Sequence, residues 1–206
     1  MNITHATSEQ VTGESLAAIF ARQKELMDKY HDIELRSGLL QTEACPVNLD
    51  DKRGQARIKD FSWRITEEVG EALDALNNEG GESGLLHFHE ELIDGLHFLT
   101  EMTILSGIDT SNWTLDNFIR QSQKQPLNDL IAAFVQTLGM MCNCLKNKPW
   151  KQSMMKTNRE NFNLHLNGVW KIYISILTSQ GLTEEDICDI YFRKSQVNKF
   201  RQRSNY

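Results

Sequence analysis

Phe61-Ser-Trp-Arg-Ile65-Thr-Glu-Glu68-Val-Gly-Glu71-Ala72 and, after a glycine-rich break, Phe88-His-Glu-Glu91-Leu-Ile-Asp94-Gly-Leu-His-Phe98 decide how this chain folds. In the first segment Phe61, Ile65, Glu68 and Ala72 follow one another at spacings of three and four. In the second, Phe88, Glu91, Asp94 and Phe98 do the same. Such intervals trace one face of an α-helix, and neither segment alternates as a strand would. Each segment therefore carries a pair of carboxylates at i,i+3 on one helix face: Glu68 with Glu71, and Glu91 with Asp94.

These acids interrupt stripes that are otherwise apolar. A carboxylate on an inward stripe has to be paired, protonated or metal-bound, because an unpaired buried ion is costly. Four convergent carboxylates repel one another unless a multiply charged cation neutralises them. An all-oxygen donor set suits Mg²⁺, which takes octahedral oxygen coordination and commonly keeps waters and substrate phosphates. The register has an alias, since Glu67 with Glu71 and Glu90 with Asp94 are i,i+4 pairs that could share a face; stripe membership favours Glu68 and Glu91. His87-Phe-His89 has no cysteine or His-Glu-x-x-His companion, which argues against zinc.

Outward from this pair, the whole chain reads as helix. Leu16, Ile19, Phe20, Leu26, Met27, Tyr30 and Ile33 mark a first helix over 14–33, and 37–50 is a connection containing Gly38 and Pro46. The second helix carries Ile58 to Leu76 and ends at Asn77-Asn-Glu-Gly-Gly81. The third is expected to begin near Leu85 and to close at Gly107. A loop containing Trp113 follows. A fourth helix has Pro126 in its first turn, Leu127 to Met141 as its apolar set and Pro149 as its stop. Thr157-Asn-Arg-Glu160 has capping-box form ahead of a fifth helix, and Thr183-Glu-Glu-Asp186 ahead of a sixth that runs to about Phe200. The expected fold is an all-α bundle of about six main helices, in a single domain over 1–206.

Composition narrows the function. At 206 residues and 40% hydrophobic content the chain can bury a real core. A net charge of −6, without long basic runs before the C-terminus, argues against a general nucleic-acid binder or a membrane-surface protein. Four cysteines without Cys-x-x-Cys spacing, and no apolar leader or spanning segment, fit a reducing cytoplasm. The Gly80-Gly-Glu-Ser-Gly84 linker is not followed by Gly-Lys-Ser/Thr, so a P-loop is excluded.

The last helix adds a second constellation. Tyr191, Lys194, Asn198 and Arg201 recur at three and four, setting an aromatic ring, an ammonium, an amide and a guanidinium along one face. Lys and Arg suit phosphate, and Asn has both the donor and the acceptor needed to read a base edge. A solvated basic helix end would also have this composition.

Taken in order, Glu68-x-x-Glu71 and Glu91-x-x-Asp94 resemble the ExxE…ExxD metal motif of the MazG-like all-α nucleoside triphosphate pyrophosphohydrolases. Tyr191-x-x-Lys194-x-x-x-Asn198-x-Phe200-Arg201-Gln202-x-x-Asn205-Tyr206 is similar to the closing motif of the dimeric dUTPases and the related phage dCTPase-dUTPases. The family usually ends this motif with Gly-Tyr; Asn205 stands here instead, a residue that tolerates the left-handed conformation. Residues 113–180 match only in helical character and read as a helical insertion.

The resemblance implies an all-α fold completed by a homodimer, and two or more Mg²⁺ ions held by Glu68, Glu71, Glu91 and Asp94. It implies that Lys194 and Arg201 contact phosphates and that Asn198 reads the nucleoside. Gln23, in a Gln-x-x-Leu pattern, Trp63 and Tyr206 are implied to join it at the nucleoside. The implied activity is hydrolysis of dUTP to dUMP with release of pyrophosphate, dUDP being a further substrate; on the chemistry of the site, Glu68 is the carboxylate expected to act as the base. A preference for dCTP or another dNTP, and a non-catalytic metal-binding helical module, are the alternatives.

Overall fold

The computed structural model describes residues 15–148, 150 and 152–203. Among them it has seven helices and no strand: α1 (Ser15–Ser37), α2 (Lys52–Asn78), α3 (Gly81–Ser106), α4 (Leu115–Arg120), α5 (Leu127–Cys144), α6 (Arg159–Ser179) and α7 (Glu184–Arg203). The all-α reading holds. The additional helix is α4, a short segment in the loop around Trp113, capped by the Thr114 hydroxyl, which accepts from the Asn117 N–H at 3.1 Å. Trp113 packs edge-on against Phe118 and Trp170, which is why this loop lies against the body instead of projecting from it.

Helices α2 and α3 form the central hairpin. Phe61 meets Phe98 with ring centroids 6.1 Å apart, Ser62 meets Met102, and Gly84 lies against the Ala75 carbonyl. Residue numbers that rise on one helix as they fall on the other make the pair antiparallel. The break between them is shorter than the sequence suggests: α3 starts at Gly81, not near Leu85. Gly80 and Gly81 both take positive φ, 65° and 60°, and so reverse the chain within two residues. Gly84 then allows the first turn of α3 to touch α2 where a Cβ would collide with backbone.

The central helix is α3, which packs on α2, α1, α7 and α6, while α5 and α6 form a second hairpin. Phe61, Ile65, Ala72, Phe88, Leu92, Leu96, Phe134, Phe162, Leu166, Trp170 and Tyr173 are buried together in one core. Ile33, at the end of the α1 stripe, is instead exposed.

Two helix ends differ from expectation. Thr157 does not cap α6: its hydroxyl donates to the Leu49 carbonyl, so Asn158 is the cap and accepts from the Asn161 N–H. Helix α5 ends at Cys144, short of Pro149, which lies outside the described residues. The ammonium of Lys59, from α2, donates to the Leu145 and Asn147 carbonyls at 3.1 and 2.9 Å and stops the helix there. Pro126 is the N-cap of α5, one residue before its first turn. The reciprocal cap at Thr183 and Asp186 forms on α7.

Candidate active site

Glu68 on α2 faces Glu91 and Asp94 on α3 because the two helices come unusually close at this level. A Cβ placed on Gly95 would stand 3.3 Å from that of Glu68 and would overlap the Tyr173 hydroxyl. That hydroxyl donates to the Leu92 carbonyl at 2.7 Å, so α6 braces the turn of α3 that carries both acids. Glycine at 95 is thus a packing requirement of the site. An isolated glycine inside a strongly helical pattern, next to an acid, is the sequence signal for it.

Glu68, Glu91 and Asp94, all half-buried, each bring one carboxylate oxygen into a group whose members lie within 4.8 Å of one another. With Glu71, Glu90, Arg193, Lys194, Val197 and Asn198 they line a cavity of about 500 Å³ between α2, α3 and α7. Glu71 is exposed at its rim and is not one of the three close donors. Glu90 also reaches the cavity but is exposed. Glu67 does not line it; this exposed acid accepts from the Trp63 indole N–H at 2.8 Å.

The electrostatics express the crowding. Burial first, then the neighbouring Glu91, Asp94 and Glu71 carboxyls, push Glu68 up to about 8. The Lys194 ammonium sits 2.6 Å from Asp94 Oδ2, so the cation of α7 and the acid of α3 are already paired. His87 contacts Glu91 from Nε2 at 3.0 Å and Glu79 from Nδ1 at 2.5 Å, and these carboxylates, Glu79 foremost, raise its pKa.

The other sequence-derived candidates fall elsewhere. Gln23 is buried, and its amide joins three helices: it donates to Glu101 at 2.9 Å and accepts from His97 Nδ1 at 2.9 Å and the Tyr191 hydroxyl at 2.8 Å. It does not line the acidic cavity. Burial lowers His97 to about 3, so its ring is neutral, and it stacks on Tyr191 at 3.8 Å. Trp63 is 63% exposed and also lies off the cavity. Asn198 lines it beside Lys194. The Arg201 side chain and Tyr206 lie outside the described residues. Arg193 and Val197 were not apparent from the motif; they reach the cavity because α7 turns a broad face toward α3.

A cavity with clustered carboxylates on two helices and a lysine and an asparagine on a third suits a divalent cation next to a phosphorylated ligand. The family model described as dUTPase matches residues 15–206. The chain belongs to this dUTPase family. No curated protein and no solved structure matches it. As an all-α dUTPase-family protein it is a nucleotide pyrophosphohydrolase in general chemistry, of a class that depends on divalent metal. The fit to a metal is good on this structure's own terms, since every close donor is a carboxylate oxygen and Glu68 is hard to ionise without an added positive charge. Among the described residues no helix is long and apolar enough to cross a membrane.

Proposed function

We propose that this dUTPase-family protein hydrolyses dUTP, and dUDP as a further substrate, to dUMP with Mg²⁺, dUTP yielding pyrophosphate. The single-domain chain acts in the cytoplasm as a homodimer. The observation that carries this is the cavity that brings Glu68, Glu91 and Asp94 together with Lys194 and Asn198. Bound Mg²⁺, in two or more ions, would neutralise the triphosphate and favour the ionised form of Glu68. Glu91 and Asp94 hold the cation from α3, and Glu68 and Glu71 from α2. Glu68 takes the proton from the attacking water as a phosphorus–oxygen bond of the α–β bridge breaks and pyrophosphate leaves. Lys194 exchanges its contact with Asp94 for a phosphate oxygen, with Arg201 as a second phosphate ligand. Asn198 reads the base edge. Gln23, Trp63 and Tyr206 are assigned to the nucleoside by the family resemblance alone.

Support for the dimer comes from apolar side chains left exposed in the single chain, among them Ile33 and Leu35 on α1 and Val197 and Phe200 on α7. The substrate is tested by incubation with each common dNTP and Mg²⁺. The expected result is preferential loss of dUTP with equimolar dUMP and pyrophosphate. Turnover of dCTP in preference would move the assignment to cytosine, since one Asn amide pairs with either base by flipping. No product from any nucleotide would leave a non-catalytic metal-binding module.

A further inference from the structure

The contact of His87 with Glu91 has no part in the proposed hydrolysis. His87 touches Glu91 Oε1 through Nε2 at 3.0 Å and Glu79 Oε1 through Nδ1 at 2.5 Å. Glu79 caps the end of α2, and His87 is on α3, so the imidazole bridges the hairpin across its Gly80-Gly81 turn. With both nitrogens engaged, the ring has little freedom to rotate.

The direction of approach matters most. His87 is not among the residues lining the cavity that holds Glu68, Glu91 and Asp94. It lines a separate cavity of about 430 Å³, with Glu67, Asp74 and Glu79, which shares only Glu71 with the first. His87 therefore reaches Glu91 from outside the acidic cavity. Lys194 differs, because it enters the acidic cavity itself and contacts Asp94 there. Of the two basic groups on the α3 acids, one occupies the place of the ligand and the other supports a ligand-bearing side chain.

We propose that His87 is a positioning residue for the divalent cation: anchored by Glu79, its Nε2 fixes one oxygen of Glu91 and so presents the other to the metal. This rests on the metal reading of the acid cluster. Ligating carboxylates are commonly held by outer polar partners, and losing one costs about 10- to 100-fold in metal affinity.

The test is Mn²⁺ binding without nucleotide, followed by electron paramagnetic resonance, on the native protein, His87→Phe, His87→Gln and Glu91→Gln. Melting is measured in parallel in EDTA. His87→Phe should weaken Mn²⁺ binding about tenfold, while His87→Gln, whose amide can still donate to Glu91, should stay within about threefold of native. A rescue of this kind is not expected if His87 only stabilises the hairpin. Mn²⁺ binding by His87→Phe as tight as native or tighter would overturn the proposal, as would equal weakening in the Phe and Gln variants. If Glu91→Gln binds Mn²⁺ like the native protein, the metal reading itself fails; loss in Glu91→Gln with none in His87→Phe removes only the role of His87.

Discussion

At Gly95 the close approach of two helices depends on the absence of one methyl group. Gly95→Ala should destabilise the protein by about 1–3 kcal/mol, because the added Cβ overlaps the Tyr173 hydroxyl and presses on Glu68. In chemical denaturation, the double variant with Tyr173→Phe should recover part of that loss, and strict additivity would contradict the contact. Glu101 allows a pH prediction. Burial, then the Glu34 charge, raises its carboxyl to about 7 from 4.5, although Gln23 donates to it. For an acid whose folded pKa is raised, the folded state favours the protonated form. Stability from this group is therefore greatest below pH 4.5 and is lost as the pH rises through 7. Glu101→Gln should stabilise the protein at pH 8 by on the order of 2 kcal/mol, seen as a higher melting temperature, and make no difference near pH 4. An equal effect at both pH values would contradict the assigned shift. At this scale the acids were legible, because i,i+3 spacing within apolar stripes marks them. The role of His87 was not: its i,i+4 spacing to Glu91 is visible, but Glu79, its second partner, is brought to it only by the hairpin turn. Nor was the burial of Gln23 among His97, Glu101 and Tyr191, which requires three helices to be in place.

Between elements, α2 supports more than its own face. Lys59 reaches across to cap α5, so Lys59→Met should leave the Leu145 and Asn147 carbonyls without their donor and cost about 1–2 kcal/mol. Hydrogen exchange should speed up around residues 142–148 while the α2–α3 hairpin stays protected; uniform acceleration would argue against a local cap. The six long helices were readable from the 3.6-residue period. Helix ends were not always, for identifiable reasons. The positive-φ pair Gly80-Gly81 turns the chain faster than a glycine-rich linker suggests, and Thr157 spends its hydroxyl on Leu49 instead of on its own helix. The short α4 has too few residues for a period to show, and is held in place by the aromatic contacts of Trp113.

For the molecule as a whole, α2 and α3 supply carboxylates, α7 supplies a cation and an amide, and α6 braces α3 through Tyr173. The all-α architecture and the family could be read from the sequence because the two acidic pairs and the closing motif recur in order. How α7 brings Lys194 and Asn198 to the acidic cavity could not, since it depends on α7 packing against α1 and α3. If the proposed dimer forms, light scattering should give twice the 23.7 kDa chain mass, and Phe200→Asp should shift it toward monomer. A native monomer with full activity would contradict that assembly. The most direct test of the central claim is phosphorus NMR of dUTP turned over by the native protein and by Glu91→Gln, each in Mg²⁺ and in EDTA. The native protein in Mg²⁺ should give dUMP and pyrophosphate in equal amounts, with turnover below a few per cent in EDTA or in the variant. Metal-independent turnover, orthophosphate as the first product, or an active Glu91→Gln enzyme would contradict the carboxylate-held metal site.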